Sequence, residues 1–248
     1  MRQQLFAPAA AVVVIAGLLL GGCAEPSPSP SRDARAPSPS STASASPPPA
    51  VAASVGTAAV AKSASVAVHA APSGPVTTTF KNPQPSGAPL TFLVVDTHDD
   101  WLKVQLPQRP NGSTGWISAT SVSQHALVYS LRVSTAKKTL ALYENESLVK
   151  EFSVATGTGG TPTPHGSFYL TELLAPTNHG YGPYAFGLSA FSDVLSSFGG
   201  GPGQIGLHGT DDADSIGRAA SHGCIRMTNA DITTLAKLLP LGTPITIE

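Results

Sequence analysis

Short runs of apolar residues, separated by turn-forming residues, make up the chain between residues 66 and 125. Such runs occupy residues 66–68, 90–95, 101–106 and 115–117. The run 101–106 alternates apolar and polar side chains with period two, which is the pattern of a half-buried strand. Strands this short and this regularly spaced are typical of a small antiparallel barrel. We therefore predict a small β domain over residues 66–125, with Trp101 and Trp116 in its core or at a domain interface rather than in a ligand groove.

A second β-rich region follows, over residues 126–248. Its predicted strands occupy residues 131–133, 139–143, 148–154, 167–171, 204–208 and 243–247, with a hairpin turn at residues 144–147. A short amphipathic helix is predicted from Asn229, as its N-cap, to about Leu239, with Leu235, Leu238 and Leu239 facing the core. The predicted fold is thus mainly β: a small β-barrel, then a β-rich domain with a short C-terminal helix.

Residues 176–203 lack this alternation and are rich in glycine, serine and aromatic residues. A long segment of this kind in a compact domain is usually functional, as a lid or as a wall of a substrate site. A surface excursion packed by its own aromatic rings is an equally good interpretation.

The N-terminus has the pattern of an export signal. A basic start is followed by an apolar run over residues 5–20, which is short for a membrane span but suits the core of a signal peptide. The run ends in Leu20-Gly21-Gly22-Cys23, which resembles the lipobox of bacterial lipoproteins. That resemblance implies cleavage before Cys23 and acylation of its thiol. The alternatives are an uncleaved anchor and an ordinary cleaved signal with a chance cysteine.

Residues 1–22 are therefore predicted to be a lipoprotein signal peptide. Residues 23–65 are rich in Pro, Ser and Ala and are predicted to be a disordered tether, because they hold too little apolar surface to offset the entropy of ordering. A flexible coil of that length reaches roughly 35 Å. We expect the protein to be exported and lipid-anchored to the outer face of the bacterial cell membrane.

Composition narrows the functional classes. Only 12% of the 248 residues are charged and the formal net charge is -1, so no basic excess indicates a nucleic-acid partner. The two cysteines, Cys23 and Cys224, predict no disulfide framework. If Cys23 carries lipid, Cys224 remains as a free thiol in an exported protein, and such a thiol needs a functional reason.

Cys224 lies in the run SHGCIRM, over residues 221–227, with His222 two residues before it. A second histidine, His208, ends the apolar run 204–208. A thiol needs a base beside it to become a nucleophile at neutral pH, and histidine is the usual partner, so we predict a cysteine enzyme. A structural zinc site is the alternative, but such a site typically pairs close Cys or His ligands twice, and no second pair is present. We expect neither a metal nor another cofactor.

The run over residues 221–227, together with His208-Gly209-Thr210, resembles the L,D-transpeptidase family, the YkuD-type catalytic domain. The strand that contains Tyr143, the loop TPTPHG and the terminal helix and strand agree with it, so the resemblance spans about residues 128–248. The Trp101 and Trp116 runs resemble bacterial SH3-like domains, which often accompany cell-wall enzymes.

The resemblance implies a role for each residue of the motif. The nucleophile falls on Cys224 and the general base on His208, whose imidazole the backbone carbonyl of Gly209 would hold. The oxyanion hole is formed by backbone N–H groups around His222, Gly223 and Cys224. Ser221 belongs to the same group of supporting residues.

Two further residues are predicted to bind substrate. Arg226 would attract a substrate carboxylate, because arginine forks suit carboxylates, and ordering of the turn is its alternative role. Tyr184 is the second substrate-binding candidate. His222 is expected to be structural or to contact substrate, because it lies too near Cys224 in the sequence to approach the sulfur from the opposite side.

The reaction that the resemblance implies is acyl transfer on peptidoglycan stem peptides. The thiolate of Cys224 attacks the amide before the terminal D-alanine of a tetrapeptide, D-alanine leaves, and the side-chain amine of a second stem resolves the thioester. Attack by water would make the same site an L,D-carboxypeptidase. Relatives are acylated at this cysteine by carbapenem-type β-lactams, so the same is expected of Cys224. A non-catalytic cell-wall-binding lipoprotein is the alternative from another class.

Overall fold

Two apolar cores organise the computed structural model of the protein, which describes residues 54–198 and 201–248. The first core includes Val66, Phe92 and Ile117, and it underlies one antiparallel sheet. The second core is larger, includes Phe168 and Leu235, and underlies a mixed sheet and a helix. The predicted fold class, mainly β with a short C-terminal helix, is confirmed.

The first sheet has seven strands, in the order β3-β2-β6-β5-β4-β1-β7. The strands are β1 (Gly56–Ala61), β2 (Ser65–His69), β3 (Val76–Lys81), β4 (Thr91–His98), β5 (Trp101–Gln105), β6 (Thr114–Ser118) and β7 (Val122–Leu127). Every neighbouring pair is antiparallel. The period-two prediction for β5 is confirmed, because Leu102 and Val104 point into the core. The resemblance of this sheet to SH3-like domains stays a prediction.

Strand β1 lies inside the segment predicted to be a disordered tether, so the tether cannot extend to residue 65. The run is made of small residues that resemble the tether in composition, yet Ala58 and Ala59 are fully buried. Ala58 packs closely against Gly242, where an added Cβ would lie 2.6 Å from the Cβ of Ala58. The signal peptide, Cys23 and most of the predicted tether lie outside the described residues.

The core position predicted for the two tryptophans is wrong. Period two turns their neighbours, Leu102 and Ile117, into the core, and this leaves Trp101 and Trp116 half-buried on the other face of the sheet. There they form edge-to-face contacts, Trp101 with His69 at 4.8 Å and Trp116 with His98 at 6.4 Å between ring centroids. Neither tryptophan belongs to either core.

The second sheet has eight strands, in the order β10-β9-β8-β17-β12-β13-β14-β16. The strands are β8 (Tyr129–Ser134), β9 (Thr139–Glu144), β10 (Ser147–Ser153), β12 (Gly166–Leu174), β13 (Ala185–Phe191), β14 (Gln204–His208), β16 (Ile225–Arg226) and β17 (Pro244–Ile247); β11 (Thr156–Gly157) and β15 (Ala219–Ser221) pair separately. The predicted hairpin turn is confirmed: Asn145 and Glu146 both have positive φ, as a type I′ turn requires.

Strand β13 corrects the interpretation of residues 176–203 as one long lid or excursion. It crosses the sheet between β12 and β14, and both of its faces are covered, so Phe186 and Leu188 are fully buried. A strand buried on both faces shows no alternation, which is why period two did not reveal it. Among the described residues, 192–198 and 201–203 lie outside the sheet between β13 and β14.

The helix, α1 (Asn229–Leu238), begins one residue earlier than predicted. Its N-cap is Thr228, whose hydroxyl accepts from Asp231 N at 3.2 Å and donates to the Asp231 carboxylate at 2.7 Å. Leu235 is buried as predicted, and Leu239 is buried just past the helix, but Leu238 is 37% exposed. None of the described helices is long and apolar enough to cross a membrane.

The chain passes from the first sheet to the second at Val128, between β7 and β8, slightly later than the predicted boundary at 125. The sheets contact each other through side-chain amides of the first and backbone carbonyls of β12. Gln84 Nε2 donates to Thr171 O at 2.9 Å, and Gln105 Nε2 donates to Ser167 O at 2.5 Å. The second sheet thus receives hydrogen bonds from the first along β12.

Candidate active site

Two adjacent parallel strands bring Cys224 and His208 together. His208 is the last residue of β14, and Cys224 immediately precedes β16, which pairs with β14 in the register Leu207 to Ile225 and His208 to Arg226. Both side chains line the same two cavities, of about 490 and 360 Å³. The sheet therefore assembles a thiol and an imidazole that the sequence separates.

Gly206 lies beneath both groups. Its N–H donates to Cys224 Sγ at 3.4 Å. A Cβ at this position would lie 3.8 Å from Sγ and 3.6 Å from His208 Cδ2, so glycine keeps the space between the two side chains open.

His208 is 3% exposed, and one of its two ring nitrogens is already committed. Nδ1 donates to the backbone carbonyl of Gly209 at 2.5 Å, the contact that the family resemblance implied. This bond sets the tautomer, so Nε2 carries the lone pair, and it has no protein partner among the described residues. Burial lowers the pKa of His208 to about 4; the Gly209 carbonyl opposes this effect and the charge of Arg226 adds to it. The imidazole is neutral at pH 7 and ready to accept a proton.

The thiol of Cys224 is held in its neutral form by the same environment. Burial raises its pKa, while the Gly206 N–H and the positive charge of Arg226 partly offset this rise. A neutral thiol therefore lies beside a neutral imidazole whose Nε2 can accept a proton.

The Gly209 carbonyl is itself held in place by the start of α1. Asn229 Oδ1 accepts from Thr210 N at 3.0 Å, and Gly209 N donates to Tyr184 O at 3.2 Å. A Cβ at Gly209 would lie 2.4 Å from Asn229 Oδ1, so the fit requires glycine. Gly209, which orients His208, is thus fixed by these two hydrogen bonds and by its close packing against Asn229, and no carboxylate takes part in either bond.

The turn before Cys224 is closed by the hydroxyl of Ser221. It donates to Cys224 O and accepts from Gly223 N at 3.1 Å. Gly223 has φ 121°, and a Cβ there would lie 3.0 Å from Ile205 Cδ1. Its carbonyl accepts from Thr163 Oγ1 at 2.8 Å. The turn is therefore supported on both sides.

This bonding corrects the predicted oxyanion hole. The N–H of Gly223 is used by Ser221 within the turn, so it is not free to stabilise an oxyanion. Within residues 54–198 and 201–248, the N–H groups of His222 and Cys224 donate to no protein acceptor. These two groups remain as candidate oxyanion donors.

His222 lies in a different environment from His208. Its side chain is exposed, lines the smaller cavity, and stacks on the ring of Phe198 at 5.2 Å and 29°. Nothing in the described residues orients its imidazole toward Sγ.

Arg226 borders the smaller cavity with its guanidinium only loosely paired. Nη1 lies 3.7 Å from the carboxylate of Asp212, whose side chain is about half exposed. The Nε of Arg226 is buried and has no hydrogen-bond partner in the part of the chain that the structure describes. A guanidinium with donors to spare beside Cys224 suits an anionic ligand group.

Tyr184, which was predicted to bind substrate, lies outside both cavities that Cys224 borders. It packs against the larger core instead. Tyr181 borders both cavities, with its ring 4.6 Å from that of His208. Burial, followed by proximity to Cys224, raises the pKa of the Tyr181 phenol. The signal in the sequence was Asn178, which caps this turn by accepting from Gly180 N at 3.0 Å.

Comparison with known proteins identifies the family of this β-rich domain. The family model of the L,D-transpeptidase catalytic domain, YkuD, matches residues 128–247. The YkuD protein of Bacillus subtilis, named provisionally as an L,D-transpeptidase, is 36% identical over 124 residues, which cover 50% of this chain and 68% of the relative. The chain belongs to the L,D-transpeptidase (YkuD) family.

A second curated relative and a solved structure are also similar to this chain. The YkuD protein of Bacillus licheniformis, also named provisionally, is 37% identical over 119 residues, covering 48% of this chain and 65% of the relative. The chain thus spans about two thirds of the length of these curated relatives. L,D-transpeptidase 3 from Mycobacterium tuberculosis, solved in complex with a faropenem-derived adduct, is similar with 13% identity and a TM-score of 0.44, covering 57% of this chain and 76% of that one. A similarity this low carries no inference about function.

Proposed function

We propose that the protein is a peptidoglycan L,D-transpeptidase that works through a thioester on Cys224. The observation that carries the proposal is His208: its Nδ1 donates to the Gly209 carbonyl, and its free Nε2 is left for the cavity that also receives Cys224. Membership of the family supplies the substrate class.

The first half of the reaction acylates the enzyme. Cys224 Sγ attacks the carbonyl carbon between the diamino acid and the terminal D-alanine of a tetrapeptide stem, and its proton passes to His208 Nε2. The N–H groups of His222 and Cys224 stabilise the oxyanion. Collapse of the intermediate breaks the C–N bond, His208 returns the proton to the leaving amine, and D-alanine departs from the thioester.

The second half transfers the acyl group. The side-chain amine of a second stem attacks the thioester carbonyl and loses a proton to His208. The C–S bond breaks, the thiol is restored, and a new amide joins two diamino acids. Cys224 and His208 border both cavities, which together leave space for two stems. Arg226 borders the smaller one, and its loosely held Nη1 would receive the carboxylate of D-alanine.

Product analysis tests the reaction directly. The purified chain is incubated with a disaccharide-tetrapeptide, and the products are separated by mass. A cross-linked dimer with release of one D-alanine supports transpeptidation; a tripeptide alone indicates that water resolves the thioester, as in an L,D-carboxypeptidase. A wild-type chain that leaves the tetrapeptide intact contradicts both, and Cys224→Ala is the matched blank.

The place of action is a second proposal, and it depends on residues outside those described. Cys23 after an apolar run would carry lipid and hold the enzyme on the outer face of the bacterial membrane, beside its substrate. Metabolic labelling with a tagged fatty acid should mark the wild type and not Cys23→Ala. Equal labelling of both chains would contradict lipidation at Cys23.

A further inference from the structure

We propose that Arg109 and Asn111, in the loop between β5 and β6 of the first sheet, are positioning residues of the active site in the second. They hold the described part of segment 192–203, residues 192–198 and 201–203, in which Phe198, Gly201 and Pro202 provide part of the wall of the larger cavity. The inference rests on the proposed function only for the identity of the substrate.

Arg109 connects the two ends of segment 192–203. Nη1 donates to Ser192 O at 2.7 Å, and Nη2 donates to Leu195 O at 2.8 Å and Pro202 O at 3.2 Å. The guanidinium also lies 5.3 Å from the ring centroid of Phe191. Three carbonyls from both ends of the segment thus converge on one planar fork, a geometry that only arginine offers.

Asn111 fixes the residue from which the segment departs. Its amide pairs with both backbone groups of Phe191: Nδ2 donates to the carbonyl at 2.7 Å, and Oδ1 accepts from the N–H at 2.8 Å. Nδ2 also lies 3.3 Å from the carboxylate of Asp193. The Asn111 amide thus forms, at the end of β13, the two hydrogen bonds to the backbone that a neighbouring strand would otherwise form.

Gly203 shows how closely the carbonyls are gathered. Its φ is 74°, and a Cβ there would lie 2.3 Å from Leu195 O and 3.1 Å from Arg109 Nη2. The convergence on Arg109 therefore depends on a residue that lacks a side chain.

Phe198 and Gly201, which lie between the residues that Arg109 holds, reach the candidate catalytic groups. They exchange backbone hydrogen bonds of 3.0 Å each. The Phe198 ring stacks on His222 and borders both cavities, and Gly201 and Pro202 border the larger one together with Cys224. Arg109 thus holds the chain on both sides of the residues that form the cavity wall.

Arg109 and Asn111, together called the clamp below, make no hydrogen bond to His208, Gly209, Cys224 or β16 within the described residues. Cys224 and His208 are positioned by the pairing of β14 with β16 and by the Gly209 carbonyl. Loss of the clamp should therefore weaken substrate binding at the larger cavity and leave the reactivity of the thiol unchanged. The first sheet is in this respect a part of the enzyme's substrate site.

The test uses the full chain with Cys23→Ala, which leaves Cys224 as its one cysteine. Arg109→Ala removes the fork, Arg109→Lys keeps the charge, and Asn111→Ala removes the amide. Lys62→Ala, an exposed cation of the same sheet, is the control. Hydrogen exchange of the amides in residues 192–198 and 201–203 should quicken roughly tenfold in the three clamp variants, because charge-assisted hydrogen bonds to three carbonyls are lost or weakened.

Two kinetic readouts distinguish positioning from general damage. Alkylation of Cys224 by iodoacetamide should stay within about twofold of wild type, while KM for the tetrapeptide rises roughly tenfold and kcat changes less. Unchanged exchange in Arg109→Lys and Asn111→Ala, or an equal change in Lys62→Ala, would overturn the proposal even if Arg109→Ala failed to fold. If wild type turns over no tetrapeptide, the proposed function fails, and exchange together with alkylation still decides the clamp.

Discussion

The end of β14 and the turn before β16 each bring a histidine close to Cys224, and the two regions treat the imidazole in opposite ways. At the end of β14, His208 is buried, and a backbone carbonyl sets its tautomer. In the turn, His222 is exposed and rests on Phe198. Proximity in the sequence favours His222, whereas burial and orientation favour His208. In the proposed mechanism His208 is therefore the base, and the carbonyl of Gly209 orients it.

The largest expected effect on activity comes from replacing each of the two histidines by alanine. His208→Ala removes the proton acceptor, so release of D-alanine should fall by about 10³-fold or more. His222→Ala removes only a stacked side chain and keeps the backbone N–H, so the fall should stay within roughly tenfold. Measured rates in the reverse order would assign the base to His222.

An intermediate effect is expected at the residue that orients the base. Gly209→Ala places a methyl group within 2.4 Å of Asn229 Oδ1, so the carbonyl that holds His208 must move. Turnover should fall about 10- to 100-fold, as for other groups that orient catalytic side chains. Gly159→Ala is the matched control, because no atom lies within 4 Å of its added Cβ. An undiminished rate in Gly209→Ala would show that the carbonyl is dispensable.

The smallest expected effect is on stability: the free energy of unfolding should depend on pH because of His208. The folded pKa of His208, about 4, is below its usual value of 6.5. The unfolded chain therefore binds an extra proton between these values, and the free energy of unfolding should fall as pH drops from about 6.5 to about 4, by on the order of 2–3 kcal/mol.

Urea unfolding at pH 7.0 and 4.5 measures this loss. His208→Gln should shrink the difference between the two pH values, while His222→Gln should leave it as in wild type. A difference that survives in His208→Gln would place the responsible proton elsewhere.

Much of the site could be predicted from the sequence because the motif around Cys224 is local. Cys224 and its neighbours lie within seven residues, and His208 ends an apolar run whose strand character is plain. The orientation of His208 by Gly209 was implied by the resemblance to the L,D-transpeptidase family. The strands with one buried face, such as β5, were visible because their side chains alternate.

The remaining features depend on contacts that local patterns do not record. Strand β1 is built of small residues whose burial is due to their neighbours β4 and β7, and β13 is buried on both faces. Tyr181 reaches the site from a capped turn, which left Tyr184 as the mistaken choice. Arg109 acts across more than 80 residues of sequence, so only the folded chain shows its role.

The central claim is that Cys224 is a nucleophile activated by His208, and covalent capture tests it most directly. The test uses the full chain with Cys23→Ala, whose one cysteine is Cys224. This chain is incubated with a carbapenem, and its intact mass is measured by mass spectrometry. The account predicts one adduct on this chain, a much slower adduct on its His208→Ala variant, and none on its Cys224→Ala variant. An unmodified parent chain, or equal labelling of Cys224→Ala, would contradict it.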